Sequence, residues 1–384
     1  MTRTTSRHPT TARIDLDRIR LNYRAIRSHA GAHAVIPVIK ANAYGHGAVA
    51  VARAIEPLGP AMFAVAYVEE GILLRQAGIT TPILVLTGFT PEQLHDVVES
   101  ALTPVVSTPE QVDAIESLPG VEDSPLSVHV KVDTGMSRLG FPLRSIEPAV
   151  HRLEDSENVR IEGLMTHLAS ADEDQVSTER QLDQFDEAIV RLQTLGVRPP
   201  LIHAANSAGL AFLRESHTAV RPGLLLYGVR PRPLSPEIDV LPAMSVRSRV
   251  SLVKNVVDGT PVSYGGRYIA DGDREIATIN AGYADGLPRT SGMREHGFLV
   301  HGDHRLRVAG TVCMDLTMLE VGDDSDLAAG DEITILGDSP SAWDLAEWAG
   351  TNAWQTLTGI GARVPRRYVF GGEPVTEALV RIED

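Results

Sequence analysis

The segment VIKANAYGHG, residues 38–47, is the one whose residue types most clearly suggest chemistry. Lys40 ends a short apolar run, and Tyr44 and two glycines follow it. If the run is a strand of a (β/α)8 barrel, its carboxyl end faces the active site and carries Lys40 there. A lysine amine can attack a carbonyl once its pKa falls below the usual value of about 10.4. The alternative is a lysine that ends a strand and extends into solvent.

A second basic segment is VKVDTGMSRLG, residues 130–140, which carries Lys131, Asp133 and Arg138. An arginine just past a strand end is suited to anchor a carboxylate or a phenolate, although a surface ion pair would look the same. Asp-Thr-Gly also occurs in aspartic proteases, which need two interacting carboxylates. This chain has a single such triplet, so we set the protease hypothesis aside.

Two later segments, HAANSAGL (203–210) and RPGLLLYG (221–228), combine polar side chains with glycine. In barrels, the last strands and a short helix N-terminus commonly bind phosphate. The candidate phosphate-binding groups are Asn206, Ser207, Arg221 and the backbone amides of Gly223 and Leu224. His167, at the end of another apolar run, is either a functional residue or a satisfied core histidine.

In the last third of the chain, INAGYADGLPR (279–289) and AGTVCMDLTM (309–318) stand out. Tyr283 lies in a glycine-flanked turn, where it is exposed enough to act, although an ordinary turn aromatic would look alike. We expect Cys313 to be buried. Histidine, cysteine and carboxylate residues do not cluster at metal-ligand spacing, so we predict no catalytic metal.

The elements that must position these residues fall into two regions. From residue 34 to about 241, apolar runs alternate with amphipathic segments, giving about eight β-α units. The runs are nearly continuous, as in parallel strands covered on both faces, and they predict a (β/α)8 barrel over residues 12–243. Residues 244–384 read as antiparallel strands separated by Gly and Asp turns, with one helix at 341–350. Residues 1–11 read as a disordered tail.

Composition limits the classes of function. The 384 residues are 43% hydrophobic and 22% charged, which is typical of a soluble globular protein. A net charge of −15 disfavours nucleic acid and anionic membranes as partners. No apolar run reaches the roughly 20 residues of a membrane span. The single cysteine excludes an intrachain disulfide and favours a cytoplasmic location.

Taken in order, these motifs resemble those of the alanine racemase family, bacterial enzymes that use pyridoxal 5'-phosphate. The resemblance covers roughly residues 12 to 370. It implies a barrel followed by a β domain, a homodimer with shared active sites, and interconversion of L- and D-alanine that supplies D-alanine for peptidoglycan. The motifs that carry it are VIKANAYGHG, KVDTGMSRLG, HAANSA, RPGLLLYG, GYADGLPR and VCMD.

The resemblance also implies roles for individual residues. Lys40 would hold the cofactor and act as one acid/base, and Tyr283, supplied by the other subunit, would act from the opposite face. His167 would associate with that tyrosine and the cofactor ring. Arg221 would contact the pyridine nitrogen, and Arg138, oriented by Lys131, would contact the cofactor and the substrate carboxylate. Met314 would contact the substrate, and Asp315 would have a supporting role. The residues that would contact the phosphate or another part of the cofactor are Tyr44, Asn206, Ser207, Gly223, Leu224 and Trp354.

This chemistry explains the residue types. Racemisation removes the Cα proton from one face and returns one on the other, which two acid/bases on opposite faces can do. Unperturbed lysine and tyrosine titrate near 10, so cationic neighbours, burial or hydrogen bonds must move both toward neutrality. The pKa of an arginine exceeds about 12, so Arg221 cannot protonate the pyridine nitrogen.

The sequence departs from the family pattern at two places that bear on substrate range. Thr311 stands where the family often has Arg, and Ala353-Trp354-Gln355 replaces the usual Pro-Tyr-Glu. One alternative is another barrel enzyme that uses the same cofactor, such as an amino-acid decarboxylase or a racemase of broader specificity. A second alternative is a non-catalytic cofactor carrier with a lone barrel. Arg221 and Tyr283 argue against the decarboxylase, and the β domain argues against the carrier.

Overall fold

The computed structural model describes residues 8–118, 125–322 and 326–377, and the chain divides into two units. The first unit contains Arg18–Ala43 and Gly47–Leu241. The second contains the described residues up to Asp17, Tyr44–His46 and the described residues from Pro242 onward. The predicted tail, residues 1–11, lies outside the described residues as far as position 7.

Within the described residues, eight parallel strands form a closed ring in the first unit, so the predicted (β/α)8 barrel is confirmed. The last strand pairs with the first, and single backbone bonds join this pair to the strands on either side: the Ile39 amide donates to the Ala64 carbonyl and the Thr218 amide to the Ile202 carbonyl, at 2.8 Å each. The strands are Ala34–Val35, Phe63–Val65, Ile83–Val85, Thr103–Val106, Leu126–Asp133, Val159–Met165, Leu201–His203 and Ala219–Val220. A short strand, Phe141–Pro142, pairs with the end of Leu126–Asp133.

The first barrel strand is shorter than the apolar run 34–40 suggests, because Pro37 has no amide to donate. Its ring-forming bonds nevertheless continue to Ile39, whose amide donates to Ala64 at 2.8 Å. Lys40 therefore follows the last paired residue of this strand.

Helices cover the outside of the barrel. The longest, Gln175–Thr194, buries an apolar stripe that includes Leu182, Phe185 and Ile189. Thr108 caps the helix Pro109–Glu116 by accepting a bond from the Gln111 amide at 3.3 Å. The α-helices of this region are Leu16–Ala30, Ala48–Ile55, Val68–Gln76, Leu94–Glu99, Pro109–Glu116, Ile146–Glu154 and Gln175–Thr194.

The second unit is built on a mainly antiparallel sheet with nine strands in the described residues. The prediction that the barrel begins at residue 12 is wrong, because Thr11–Asp15 runs antiparallel to Met244–Val256 and parallel to Arg366–Phe370. The other strands of the sheet are Arg274–Ile279, Phe298–His301, His304–Arg307, Thr317–Val321, Glu332–Leu336 and Glu373–Val375. Pro261–Val262 and Tyr268–Ile269 form a separate two-stranded ribbon.

The prediction of a single helix in this unit is also wrong. Besides Ala342–Ala349, the structure contains Ser291–His296 and Ala353–Thr358. Each begins at a capping side chain, Thr290 or Asn352, but six residues are too few for helical periodicity to appear in a sequence. None of the helices in the described ranges combines the length and apolar character that a membrane span requires.

Candidate active site

A left-handed turn directly follows Lys40. The residues Ala41–Tyr44 have φ between 52° and 53°, although none of them is glycine. Such a backbone costs about 1–2 kcal/mol per residue, so the surroundings must stabilise it. The Glu70 carboxylate accepts a bond from the Ala41 amide at 2.6 Å, and Asn42 Oδ1 accepts one from Ala48 at 2.8 Å.

Lys40 is half-buried, and burial is the main reason that its pKa is lowered. The positive charge of Arg138 lowers it further, while Glu70 acts in the opposite direction. A lowered pKa makes the neutral, nucleophilic amine easier to reach at neutral pH. The predicted cofactor lysine therefore lies in an environment that suits covalent chemistry.

Lys131 is a second amine in this cationic environment and is only 5% exposed. Burial, followed by the charges of Arg221 and Arg138, lowers its pKa to about 8. Asp133 shapes the loop that leads to Arg138, because its Oδ1 accepts bonds from the Gly135 and Ser137 amides at 3.0 Å each. Two lysines and two arginines thus surround one region at the carboxyl ends of the strands, which suits an anionic ligand.

Arg221 follows the last barrel strand and is 2% exposed. Its guanidinium donates to the carbonyls of His203 and Thr166 at 2.7 Å each and of Ala204 at 3.1 Å. It also donates to His203 Nδ1 at 2.6 Å and contacts His167 Nδ1 at 3.5 Å. Burial lowers the pKa of Arg221, but the four neutral acceptors around its guanidinium stabilise the cation, so the group stays positively charged at neutral pH.

His167 is held beside Arg221, and its pKa lies well below the usual value because of burial and then the charge of Arg221. It is therefore neutral at physiological pH. The buried side chain of Gln181 fixes the loop that carries His167. It donates to the His167 carbonyl at 3.2 Å and accepts a bond from the Ala169 amide at 2.8 Å. Sequence reasoning missed Gln181, whose only signal was a polar residue on the apolar stripe of its helix.

The predicted phosphate-binding groups lie at the ends of the last two strands. Ser207 Oγ accepts bonds from the amides of Gly223 at 2.9 Å and Leu225 at 3.3 Å. Leu224 begins the short 3-10 helix that follows Gly223. Asn206 also caps its own turn, because its Oδ1 accepts a bond from the Gly209 amide at 2.9 Å. A hydroxyl together with amides at a helix start has the donor chemistry that a phosphate requires.

In the second unit, Tyr283 begins a 3-10 turn and is 38% exposed. The Tyr283 amide donates to the Cys313 carbonyl at 3.0 Å, and the Ala284 amide donates to Met314 at 3.1 Å. This pairing brings Tyr283 beside Met314, as both roles require. Cys313 is half-buried rather than buried, because its segment lies at the surface next to Met314, which is 53% exposed.

Arg363, which sequence reasoning did not assign a role, holds these two segments together. Its guanidinium makes two 2.8 Å bonds to the buried Asp285 carboxylate and one 2.7 Å bond to Asp315. Asp285 in turn accepts a bond from the Gly282 amide at 2.9 Å. Asp315 is therefore a structural support for the turn of Tyr283.

Tyr44 is buried and is grouped with this second unit. Trp354 is half-buried on the helix Ala353–Thr358, and its indole packs edge-on against Trp343 with ring centroids 6.0 Å apart. The Thr311 hydroxyl donates to the Tyr264 carbonyl at 3.1 Å.

The fold and the two sets of residues define a two-domain barrel enzyme with a cationic site at the carboxyl ends of its strands. Family models agree: the alanine racemase N-terminal domain matches residues 14–231, and the alanine racemase C-terminal domain matches residues 243–368. The chain belongs to the alanine racemase family.

Individual relatives match over nearly their whole length. The alanine racemase of Sorangium cellulosum is 40% identical over 378 residues, covering 94% of this chain and 99% of that protein. The alanine racemase of Halothermothrix orenii is 37% identical over 368 residues, covering 94% and 97%. Among solved structures, alanine racemase from Clostridium difficile 630 superposes with a TM-score of 0.90 at 34% identity, covering 96% of this chain and 97% of that one.

The approach of Gly282 to Cys313 and Met314 gives a testable prediction. A Cβ at residue 282 would lie 2.3 Å from each of two backbone carbonyl oxygens, and neither can move without breaking the pairing that positions Tyr283. We expect Gly282→Ala to lower stability by about 1–3 kcal/mol, the usual cost of overpacking, and to abolish most activity. Thermal unfolding and turnover of alanine would measure both.

Gly337→Ala is the matched control, because a Cβ there meets its nearest neighbour at an ordinary 3.6 Å. Equal effects of the two substitutions would mean that the close approach at Gly282 is not a constraint.

Proposed function

We propose that this protein interconverts L- and D-alanine with pyridoxal 5'-phosphate, using Lys40 and Tyr283 as the two acid/bases. The observation that carries the proposal is the lowered pKa of Lys40 among cationic neighbours, in a chain that matches both alanine racemase domains. Solved relatives include an alanine racemase from Bacillus anthracis with bound L-Ala-P, at 32% identity and a TM-score of 0.87 over 96% of this chain and 97% of that one.

The residues present fit the cofactor. Lys40 offers an amine for covalent attachment, and the Ser207 hydroxyl and the Leu224 amide offer phosphate donors. The Gly223 amide, the other predicted donor, donates to Ser207 Oγ and so orients that hydroxyl. Arg221 would face the pyridine nitrogen, and its fixed proton means that it donates a hydrogen bond without giving up a proton. When bound, the cofactor withdraws electrons from the Cα–H bond of the attached amino acid.

The chain's own residues then place and move protons. Arg138 would anchor the substrate carboxylate, and Lys131 would orient Arg138. The Lys40 amine would take or return the Cα proton on one face, and the Tyr283 hydroxyl would do so on the other. Each face of Cα thus has one group that can remove or return a proton, as inversion of the configuration requires. Tyr44 and Asn206 would complete the phosphate contacts, and His167 would flank the cofactor ring.

We further propose a homodimer in which Tyr283 serves the partner's site. Several large apolar side chains of the second unit are exposed in the single chain and would be covered by a second copy. They are Tyr264, Ile269, Tyr283, Met314 and Leu316. A cytoplasmic location, where D-alanine would be made for peptidoglycan, suits a chain with one cysteine.

The lysine assignment can be tested sharply, because the chain contains only three lysines: Lys40, Lys131 and Lys254. The purified protein should absorb visible light, exchange D- and L-alanine, and carry the cofactor on the Lys40 peptide after borohydride reduction. Lys254→Arg, which changes an exposed lysine, should label as the wild type does. Label on Lys131 or Lys254 would refute the assignment, and labelled protein without alanine exchange would refute the activity.

The shared site predicts complementation between two defective variants. Lys40→Ala and Tyr283→Phe should each be nearly inactive, whereas their heterodimer contains one intact site and one doubly altered site. Random mixing should restore up to about a quarter of wild-type activity, because half of the dimers are mixed and each has half of its sites intact. If both groups serve the same chain's site, mixing will restore nothing.

Trp354 favours a second candidate, a racemase with a different amino-acid range on the same scaffold. Its indole has one N–H donor and a larger apolar body than the tyrosine usual in the family. If Trp354 shapes substrate access, Trp354→Tyr should change the ratio of kcat/KM between alanine and serine by about 1–3 kcal/mol.

Trp348→Tyr is the matched control, because Trp348 is buried against Phe298. An unchanged ratio, with unchanged cofactor affinity, would show that Trp354 does not select the substrate.

A further inference from the structure

A line of polar side chains runs through the interior of the barrel away from Arg221. His203 and His129 are completely buried, and Glu162 is 23% exposed at the far end. His203 Nδ1 lies 2.6 Å from the Arg221 guanidinium, and His203 Nε2 lies 2.8 Å from His129 Nδ1. His129 Nε2 lies 4.0 Å from a Glu162 carboxylate oxygen.

The chemistry of the end groups fixes the direction of every hydrogen bond. A guanidinium can only donate, so His203 Nδ1 must accept and carries no proton. The proton of His203 is therefore on Nε2, from which it donates to His129 Nδ1. That leaves the proton of His129 on Nε2, which makes no hydrogen bond within the described residues and lies 4.0 Å from a Glu162 carboxylate oxygen.

Both imidazoles must also be neutral. A second proton on either ring would place two N–H groups against each other or against Arg221. The electrostatics agree, because burial and then the charge of Arg221 lower the pKa of His129 to about 3 and that of His203 well below its usual value. Each hydrogen-bond acceptor of Arg221 in the described ranges is a neutral carbonyl or imidazole. The negative charge of Glu162 lies at the far end of the line of side chains that begins at Arg221.

The strands are irregular at the point where they hold His129. Between Leu126–Asp133 and Val159–Met165, the register shifts so that Val128 faces Ile161 but His129 faces Gly163. Glu162 is the extra residue of this bulge. A Cβ on Gly163 would lie 2.3–2.5 Å from the His129 ring, so glycine is required to admit that ring.

We propose that Glu162 and His129 are positioning residues that fix the tautomer of His203 and, through it, the orientation of the Arg221 guanidinium. This deepens the proposed function and rests on it for the role of Arg221 beside the cofactor. The negative charge of Glu162 acts on His129 across 4.0 Å and polarises its ring. His129 then accepts more strongly from His203, which strengthens His203 Nδ1 as an acceptor for Arg221. Outer hydrogen-bond partners act in this way on the ligands of metal sites.

Imidazole ¹⁵N NMR of the holoenzyme tests the proposal without relying on turnover. His203 and His129 should both be neutral Nε2–H tautomers from pH 6 to 9. His129→Leu should shift the His203 signals and lower kcat by about 10-fold or more, the scale of losing an outer hydrogen-bond partner, with KM for alanine little changed. His129→Asn, whose carbonyl can still accept from His203, should restore much of both.

Glu162→Gln tests the same line of side chains at its partly exposed end. It should shift the ¹⁵N signals of both histidines and lower kcat, and it remains informative even if His129→Leu fails to fold. Arg160→Gln is the control: it removes an exposed 3.4 Å partner of Glu162 and should change neither signal nor kcat.

A proton on His203 Nδ1, titration of either ring in this range, or unchanged His203 signals in Glu162→Gln would overturn the proposal. The expected tautomers in a protein that does not racemise alanine would instead overturn the proposed function.

Discussion

One buried positive charge, that of Arg221, holds the carboxyl ends of neighbouring barrel strands in place. Arg221 is 2% exposed, and a charge so far from water must be matched by hydrogen bonds. The acceptors come from the ends of neighbouring strands, through the carbonyls of Thr166, His203 and Ala204. The carboxyl ends of these strands are therefore held at fixed positions by a single side chain, and the loops that leave them begin from a rigid base.

The same charge acts on its neighbours through space. It lowers the pKa of Lys131, His167 and His203, in each case after burial, which is the larger cause. A histidine beside such a charge stays neutral, and a lysine beside it comes closer to losing its proton. Arg221 thus helps to set protonation states without taking part in proton transfer.

Much of the barrel could be predicted because parallel strands covered on both faces leave long apolar runs in the sequence. The strand ends at Lys40, Lys131 and Arg221 followed from those runs. The left-handed turn at Ala41–Tyr44 could not be predicted, because no glycine marks it and its support comes from Glu70, distant in sequence. Thr11–Asp15 was also misassigned, since its partners Met244–Val256 and Arg366–Phe370 lie far along the chain.

In the candidate site, residue types that do chemistry were visible from motifs, whereas residues that only hold others were not. Gln181 and Arg363 act through hydrogen bonds and ion pairs to groups in other elements. Apart from the place of Gln181 on an apolar stripe, nothing in the local sequence distinguishes them from ordinary helix and loop residues. Asn206, which stands within a good motif, has a structural role as well, because its Oδ1 caps its own turn.

Lysine and arginine are also divided in this chain between residues that could do chemistry and residues that hold others in place. Of 35 basic side chains, only three are lysines, and two of these, Lys40 and Lys131, have lowered pKa values at the barrel site. Arginine cannot serve where an amine must lose its proton, because the pKa of its guanidinium exceeds about 12 in water. Arginine does serve at Arg221 and Arg363, where a permanent donor with fixed geometry is needed. The two lysines are therefore found where a removable proton has a use.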